Sequence, residues 1–253
     1  MAPILRNGGS QSPDRWLREP RNNHQPHRNE YWCIPPKGNA EFVACMEDIL
    51  HIYKLPYNEN VPVICMDEKP YQLLGETREP LPLRSEDNRK TDSEYIRCGT
   101  CSIFIFTEPL ADYRHVAVCE HRTRKEWAEQ IRYLLTEFYP EKEKIILVMD
   151  NLNTHTKSSL YQTFPPEEAY ELAKRLEIHY TPKHGSWLNI AEIELNAMTR
   201  QCLDRRIDDI HKLEEELSAW ESRRNLSRRS VHWHFATEDA RIKLRSLYPK
   251  FGS

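Results

Sequence analysis

The chain has 253 residues, 39% of them hydrophobic and 30% charged, with a formal net charge of −3. That is length enough for one sizeable core with appendages, and the charge balance excludes inferring nucleic-acid binding from overall charge. No apolar stretch approaches the roughly 20 residues of a membrane span, and the N-terminus lacks the charged-then-apolar profile of a secretory signal.

Residues 1–38 are rich in Asn, Pro, Arg, Gly and Gln and read as a flexible arm, the remnant of something longer. From Asn39 to Tyr53 the pattern turns helical, with Phe42, Met46, Ile49 and Tyr53 at spacings of three and four. A strand is predicted at 61–67, followed by a loop-rich stretch with Gly75, Pro80 and Pro82. Ser102 to Phe106 and Tyr113 to Cys119 read as two more strands, joined near Pro109 as an antiparallel pair. Thr123-x-x-Glu126 is a capping-box signature ahead of a stripe of Trp127, Ile131, Leu134, Leu135 and Phe138, and Pro140 stops that helix.

The run 144–149 is apolar on both alternating faces, which suits a central parallel strand covered by helices on each side. Pro165 and Pro166 precede a helix through Leu176, and a short strand from Ile178 to Tyr180 leads to Pro182. Ser186 is expected to cap a helix from Trp187 to Leu203. A further helix carries Ile207, Ile210, Leu213, Leu217 and Trp220, and a last one lies at 237–247. Strands mixed with helices in this order imply an α/β architecture: a sheet with helices packed on its faces.

Two apolar runs, Val61 to Met66 and Ile145 to Met149, each end in an aspartate, Asp67 and Asp150. Either one alone reads as a turn or cap residue, the usual role of an Asp after a strand. If the two strands are parallel neighbours, both carboxylates reach one sheet edge, where ligands bind in α/β folds. Close carboxylates repel, so one must hold a proton or a cation must sit between them. The third acid is chosen by helix spacing. Leu188, Glu192, Leu195 and Thr199 lie on one face of the expected 187–203 helix, which puts Glu192 on the core stripe and Glu194 around the other side. A glutamate on a buried stripe is costly unless paired or metal-bound.

Cys65-Met66-Asp67-Glu68, Val148-Met149-Asp150-Asn151-x-x-x-His155, and Tyr180-Thr181-Pro182 leading to Leu188-Asn189-x-x-Glu192 form three blocks. Together they resemble the catalytic blocks of bacterial insertion-sequence transposases related to mariner elements. The resemblance spans roughly residues 30–250. It implies a ribonuclease-H-like mixed sheet flanked by helices on both faces, and an Asp-Asp-Glu triad. By that match Asp67, Asp150 and Glu192 are the catalytic residues and hold two Mg²⁺ or Mn²⁺ ions. The segment from Asp150 to Glu192 is longer than the typical mariner-type spacing. The implied organisation is an arm at 1–38, a connecting helix at 39–60, a catalytic domain at 61–206 and a helical extension at 207–253. Relatives carry helix-turn-helix modules ahead of the catalytic domain; this chain reads as a truncated or divergent copy. Double-stranded DNA, as transposon ends and target, is the implied partner, with a homodimer assembled on it.

Other residues invite weaker readings. His155, Lys183, His184 and Trp187 are candidate DNA contacts, although a lone histidine is by default a structural hydrogen bond and an aromatic at a helix start a core anchor. Basic residues cluster at Arg200, Arg205 and Arg206 and at Arg223, Arg224, Arg228 and Arg229, compatible with a phosphate-contacting surface or a solvated helix face. Cys98-x-x-Cys101 has no second pair at zinc-ribbon spacing. The odd count of seven cysteines fits a reducing compartment, so a cytoplasmic protein is expected. No Walker loop, Rossmann fingerprint or Gly-x-Ser-x-Gly is present. The expectation is a metal-dependent DNA endonuclease and strand transferase. The alternatives are an inactive relic that only binds DNA and a metal-independent glycoside hydrolase built on two carboxylates.

Overall fold

The computed structural model describes residues 37–78, 92–227, 231 and 233–250. The expected arm at 1–38 lies almost wholly outside these residues, as do Pro80, Pro82, Arg228 and Arg229. The sheet has five strands: β1 (Val63–Glu76), β2 (Tyr95–Glu108), β3 (Tyr113–Cys119), β4 (Ile145–Asp150) and β5 (Leu176–Thr181). Their order is β3-β2-β1-β4-β5. The β1–β2 and β2–β3 pairs are antiparallel, while β4 runs parallel to both β1 and β5. The helices are α1 (Ala40–Tyr53), α2 (Arg124–Tyr133), α3 (Lys157–Thr163), α4 (Pro166–Lys174), α5 (Ala191–Gln201), α6 (Ile210–Leu226) and α7 (Thr237–Lys243).

Strand alternation splits the core into two layers. Ile145, Leu147 and Met149 of β4, with Ile64 and Met66 of β1 and Phe104 and Phe106 of β2, pack against Trp127 and Ile131 of α2, Leu160 of α3 and Leu172 of α4. The intervening Ile146, Val148, Cys65, Ile103 and Ile105 pack on the opposite face. There they meet Met46 and Ile49 of α1, Met198 of α5, Leu213, Leu217 and Trp220 of α6, and Ala240 of α7. Residues two apart on a strand share a face. Asp67 follows Cys65 and Asp150 follows Val148, so both aspartates lie on the layer that α1 and α5 cover.

Several expected boundaries move. β1 runs to Glu76 and β2 starts at Tyr95, so Gly75 is strand, not loop. Pro70 sits inside β1, but β4 pairs only with Val63 to Cys65; beyond that β1 has a single neighbour, where a sheet tolerates proline. α2 has its capping box, with the Glu126 carboxylate accepting from the Thr123 N–H at 2.8 Å, and continues as one wider π-helical turn over Leu134–Phe138. Among the described residues no helix is long and apolar enough to cross a membrane, and the six described cysteines are all free thiols.

Candidate active site

The parallel register of β1 with β4 is Val63 with Ile146, Ile64 with Leu147 and Cys65 with Val148. Continuing it two residues sets Asp67 beside Asp150. At that point β4 ends, and β1 goes on with β2 alone. Asp67 is therefore inside a long strand rather than at its end; the edge it faces is created by β4 stopping. Each carboxylate is steadied through one oxygen. The Glu68 N–H donates to Asp67 Oδ1 at 2.8 Å, and the Thr181 hydroxyl donates to Asp150 Oδ1 at 2.8 Å.

The third acid arrives by a different local path from the expected one. After β5 the chain turns through Pro182 to Gly185, with the Gly185 N–H donating to Pro182 O at 2.8 Å. A side chain at Gly185 would meet Pro182 Cγ at 2.5 Å and Pro182 O at 3.0 Å, so this close turn requires glycine. Ser186–Leu188 then forms a single 3₁₀ turn, Asn189 is extended, and α5 begins only at Ala191. Leu188 is thus not on the helix, and the stripe inferred from it is corrected. The buried face of α5 is Ala191, Glu194 and Met198, while Glu192 is half-buried in the first turn. An acid is favoured there by the helix dipole.

Glu194 is the fully buried acid of this helix, and it is already satisfied. Its carboxylate accepts from Arg114 Nη2 at 3.2 Å and from Arg224 Nε and Nη2 at 2.9 and 3.0 Å. Both its oxygens are engaged by guanidinium groups from β3 and α6. The Glu192 carboxylate, by contrast, has no hydrogen-bond or ion-pair partner among the described residues.

The electrostatics link the three. Burial, then the charge of Asp150, then those of Glu192 and Glu68 push the Asp67 carboxyl up to about 7, against the pull of the Glu68 N–H. Three acids close enough to feel each other, with one held half-protonated at neutrality, form a donor set suited to a divalent cation. Among the described residues no group of three or more His, Cys, Asp and Glu side chains is gathered tightly enough to hold a metal ion. The carboxylates share a field without closing on a common point.

A cleft of about 660 Å³ adjoins Asp150, with Lys183, His184 and Ser186 on one wall and Asn39, Glu41 and Phe42 of the α1 end on another. Lys183 and His184 are exposed, and His184 has a positive φ of 65°. His155 is elsewhere. It is buried, its Nε2 bonds Glu68 Oε2 at 3.2 Å and its ring stacks on Trp127. Its carbonyl accepts from the Tyr180 hydroxyl at 2.8 Å, so the side chain serves the core and presents no face to a phosphate. Trp187 is half-buried and packs edge-on against Phe235 at 5.9 Å, a core anchor rather than an open stacking platform. Sequence reasoning missed Glu68, which also meets Arg122 at 3.5 Å, and the structural use of Glu194. Their partners lie far along the chain, so spacing alone carries no sign of them.

The family model described as DDE superfamily endonuclease matches residues 62–214. No curated protein is significantly similar in sequence. Among solved structures, the chain is similar to the Mos1 transposase paired-end complex with left transposon end, at a TM-score of 0.56 and 14% identity over 88% of this chain and 68% of that one. It is also similar to the Mos1 mariner paired end complex with Mg, at a TM-score of 0.55 and 15% identity over 88% and 68% of the two chains. The catalytic domain of Mos1 mariner transposase matches at a TM-score of 0.52 and 13% identity, over 87% of this chain and 100% of that one. At these identities the likeness is one of fold, and the fold is the expected ribonuclease-H-like sheet with helices on both faces.

Proposed function

Since the chain belongs to the DDE superfamily endonuclease family, we propose that it is the catalytic domain of a DNA transposase of the bacterial insertion-sequence kind. In this reading it cuts DNA strands and joins them to a target, using Asp67, Asp150 and Glu192 with two Mg²⁺ or Mn²⁺ ions. The observation that supports the reading is geometric: the β1–β4 register sets Asp67 beside Asp150 where β4 ends, and α5, which bears Glu192, packs on the same face of the sheet. The family gives the glycoside hydrolase alternative no support.

Divalent ions bound there would supply the Lewis acidity that makes a water or a DNA 3′-hydroxyl nucleophilic near neutral pH and offsets charge on the leaving oxygen. The protein's own part is to hold three carboxylates at one edge. Thr181 and the Glu68 N–H orient two of them through single oxygens, and the buried Arg114–Glu194–Arg224 cluster anchors the helix that bears the third. Lys183 and His184, exposed on the cleft wall beside Asp150, would contact backbone phosphates of duplex DNA, as transposon end and as target. A homodimer assembled on DNA and a cytoplasmic setting complete the proposal.

One observation favours the rival, a DNA-binding relic without chemistry: the carboxylates are not gathered to ion-holding distance. Nicking of supercoiled plasmid in Mg²⁺, with Asp150→Asn and EDTA as controls, separates the two. The transposase reading expects nicking by the wild type alone and only with metal; equal background from all samples supports the relic.

A further inference from the structure

Glu192 has no side-chain tether among the described residues, so its place depends on the backbone that leads into α5. That backbone is fixed by two side chains. The Tyr53 hydroxyl, from the end of α1, donates to Leu188 O at 2.8 Å and accepts from the Ile190 N–H at 3.3 Å. The Asn189 side chain, wholly buried, donates from Nδ2 to Met66 O at 2.8 Å and accepts from the Ala191 N–H at Oδ1 at 3.1 Å. The Glu192 N–H in turn donates to Asn189 O at 3.1 Å.

Met66 O is the carbonyl immediately before Asp67. One amide side chain therefore ties the backbone of the first acid to the first turn of the helix carrying the third. The phenol holds the same segment from the other side, against α1. Burial pushes the Tyr53 phenol well above its ordinary value, so it stays neutral and can both donate and accept. Resting on the assignment of Asp67, Asp150 and Glu192 as metal ligands, we propose that Asn189 and Tyr53 are positioning residues that set where Glu192 stands relative to Asp67. Neither touches metal or DNA. Asparagine is required at 189 because the position needs a donor and an acceptor at once; an aspartate would turn a carboxylate toward a carbonyl.

The test is Mn²⁺ titration without DNA, read from the electron paramagnetic resonance signal of free ion. Tyr53→Phe and Asn189→Asp are each compared in the native and the Glu192→Gln backgrounds. Removing a partner that orients a ligand costs about 10- to 100-fold in metal affinity. The expected result is a loss of at least about 10-fold for each variant in the native background, and no further loss once Glu192 is glutamine. Unchanged affinity, or an equal loss in both backgrounds, overturns the proposal, since general loosening of the fold does not depend on residue 192. Should Asn189→Asp fail to fold, Tyr53→Phe decides, because it deletes one hydroxyl and keeps the ring packing. If Glu192→Gln itself binds Mn²⁺ like the wild type, the ligand assignment fails and the positioning role falls with it.

Discussion

Replacing Asp67 by asparagine, an isostere without charge, should stabilise the metal-free protein at neutral pH and above. The Asp67 carboxyl stands at about 7, against an ordinary 3.8. At about 1.36 kcal/mol per pKa unit that difference corresponds to about 4 kcal/mol. Asp67 is only half-buried, and solvent screening reduces the figure to about 2 kcal/mol. The sign follows from proton linkage. Between about pH 4 and 7 the unfolded chain releases this proton while the folded one keeps it, so wild-type stability falls as pH rises through that window. Above about 7 the penalty is complete. In thermal unfolding with EDTA, the wild type should therefore lose about 4 to 8 °C relative to Asp67→Asn between pH 4 and pH 8, at about 2–4 °C per kcal/mol for a chain of this size. Mn²⁺ at a hundred times its dissociation constant should restore about 2.7 kcal/mol to the wild type, and much less to the variant. Parallel wild-type and variant curves across that pH range would refute the electrostatic reasoning, because Asp67 would then be an isolated surface acid.

The neighbouring glutamates should part company. Glu194→Gln leaves two guanidinium groups facing an uncharged amide in the core and should lower stability by about 3–5 kcal/mol in denaturant unfolding. Glu192→Gln should leave stability unchanged or raise it, while removing Mg²⁺-dependent nicking. Gly185→Ala should cost about 1–3 kcal/mol, since the added methyl meets the ring and carbonyl of Pro182 rather than a movable side-chain end; calorimetry would detect it. His155→Ala should lower the melting temperature by removing the Glu68 bond and the Trp127 stack, yet leave the salt dependence of DNA binding as in the wild type. A flattened salt dependence would return His155 to the DNA surface.

Where a segment's apolar pattern is set by its own burial, the sequence reveals it. The stripe of α1, the Thr123–Glu126 box and the wholly apolar β4 with Asp150 at its end are of this kind, whereas Asp67 lies inside β1 and not at its end. β1 and β2 are longer than expected because their outer parts are mostly half-buried or exposed, with Leu73, Gly75 and Cys101 buried, and mix charges with Pro70 and Gly75. α3 shows no stripe, since Leu160 is its one large buried side chain. The Glu192 helix was legible as a helix but not in its start, because the break at Asn189 is imposed by Met66 O and Tyr53, both far along the chain. For the same reason the burial of Glu194 was hidden: its cost is offset by arginines from β3 and α6 that helical periodicity cannot anticipate.

The central claim is that three distant acids act as one divalent-metal site, and anomalous diffraction from Mn²⁺-soaked crystals examines it most directly. Peaks liganded by Asp67, Asp150 and Glu192 at about 2.1 Å, the distance usual for a small hard cation with oxygen donors, are the predicted result. Manganese bound elsewhere, or none at this edge when the soak saturates other sites, would contradict it.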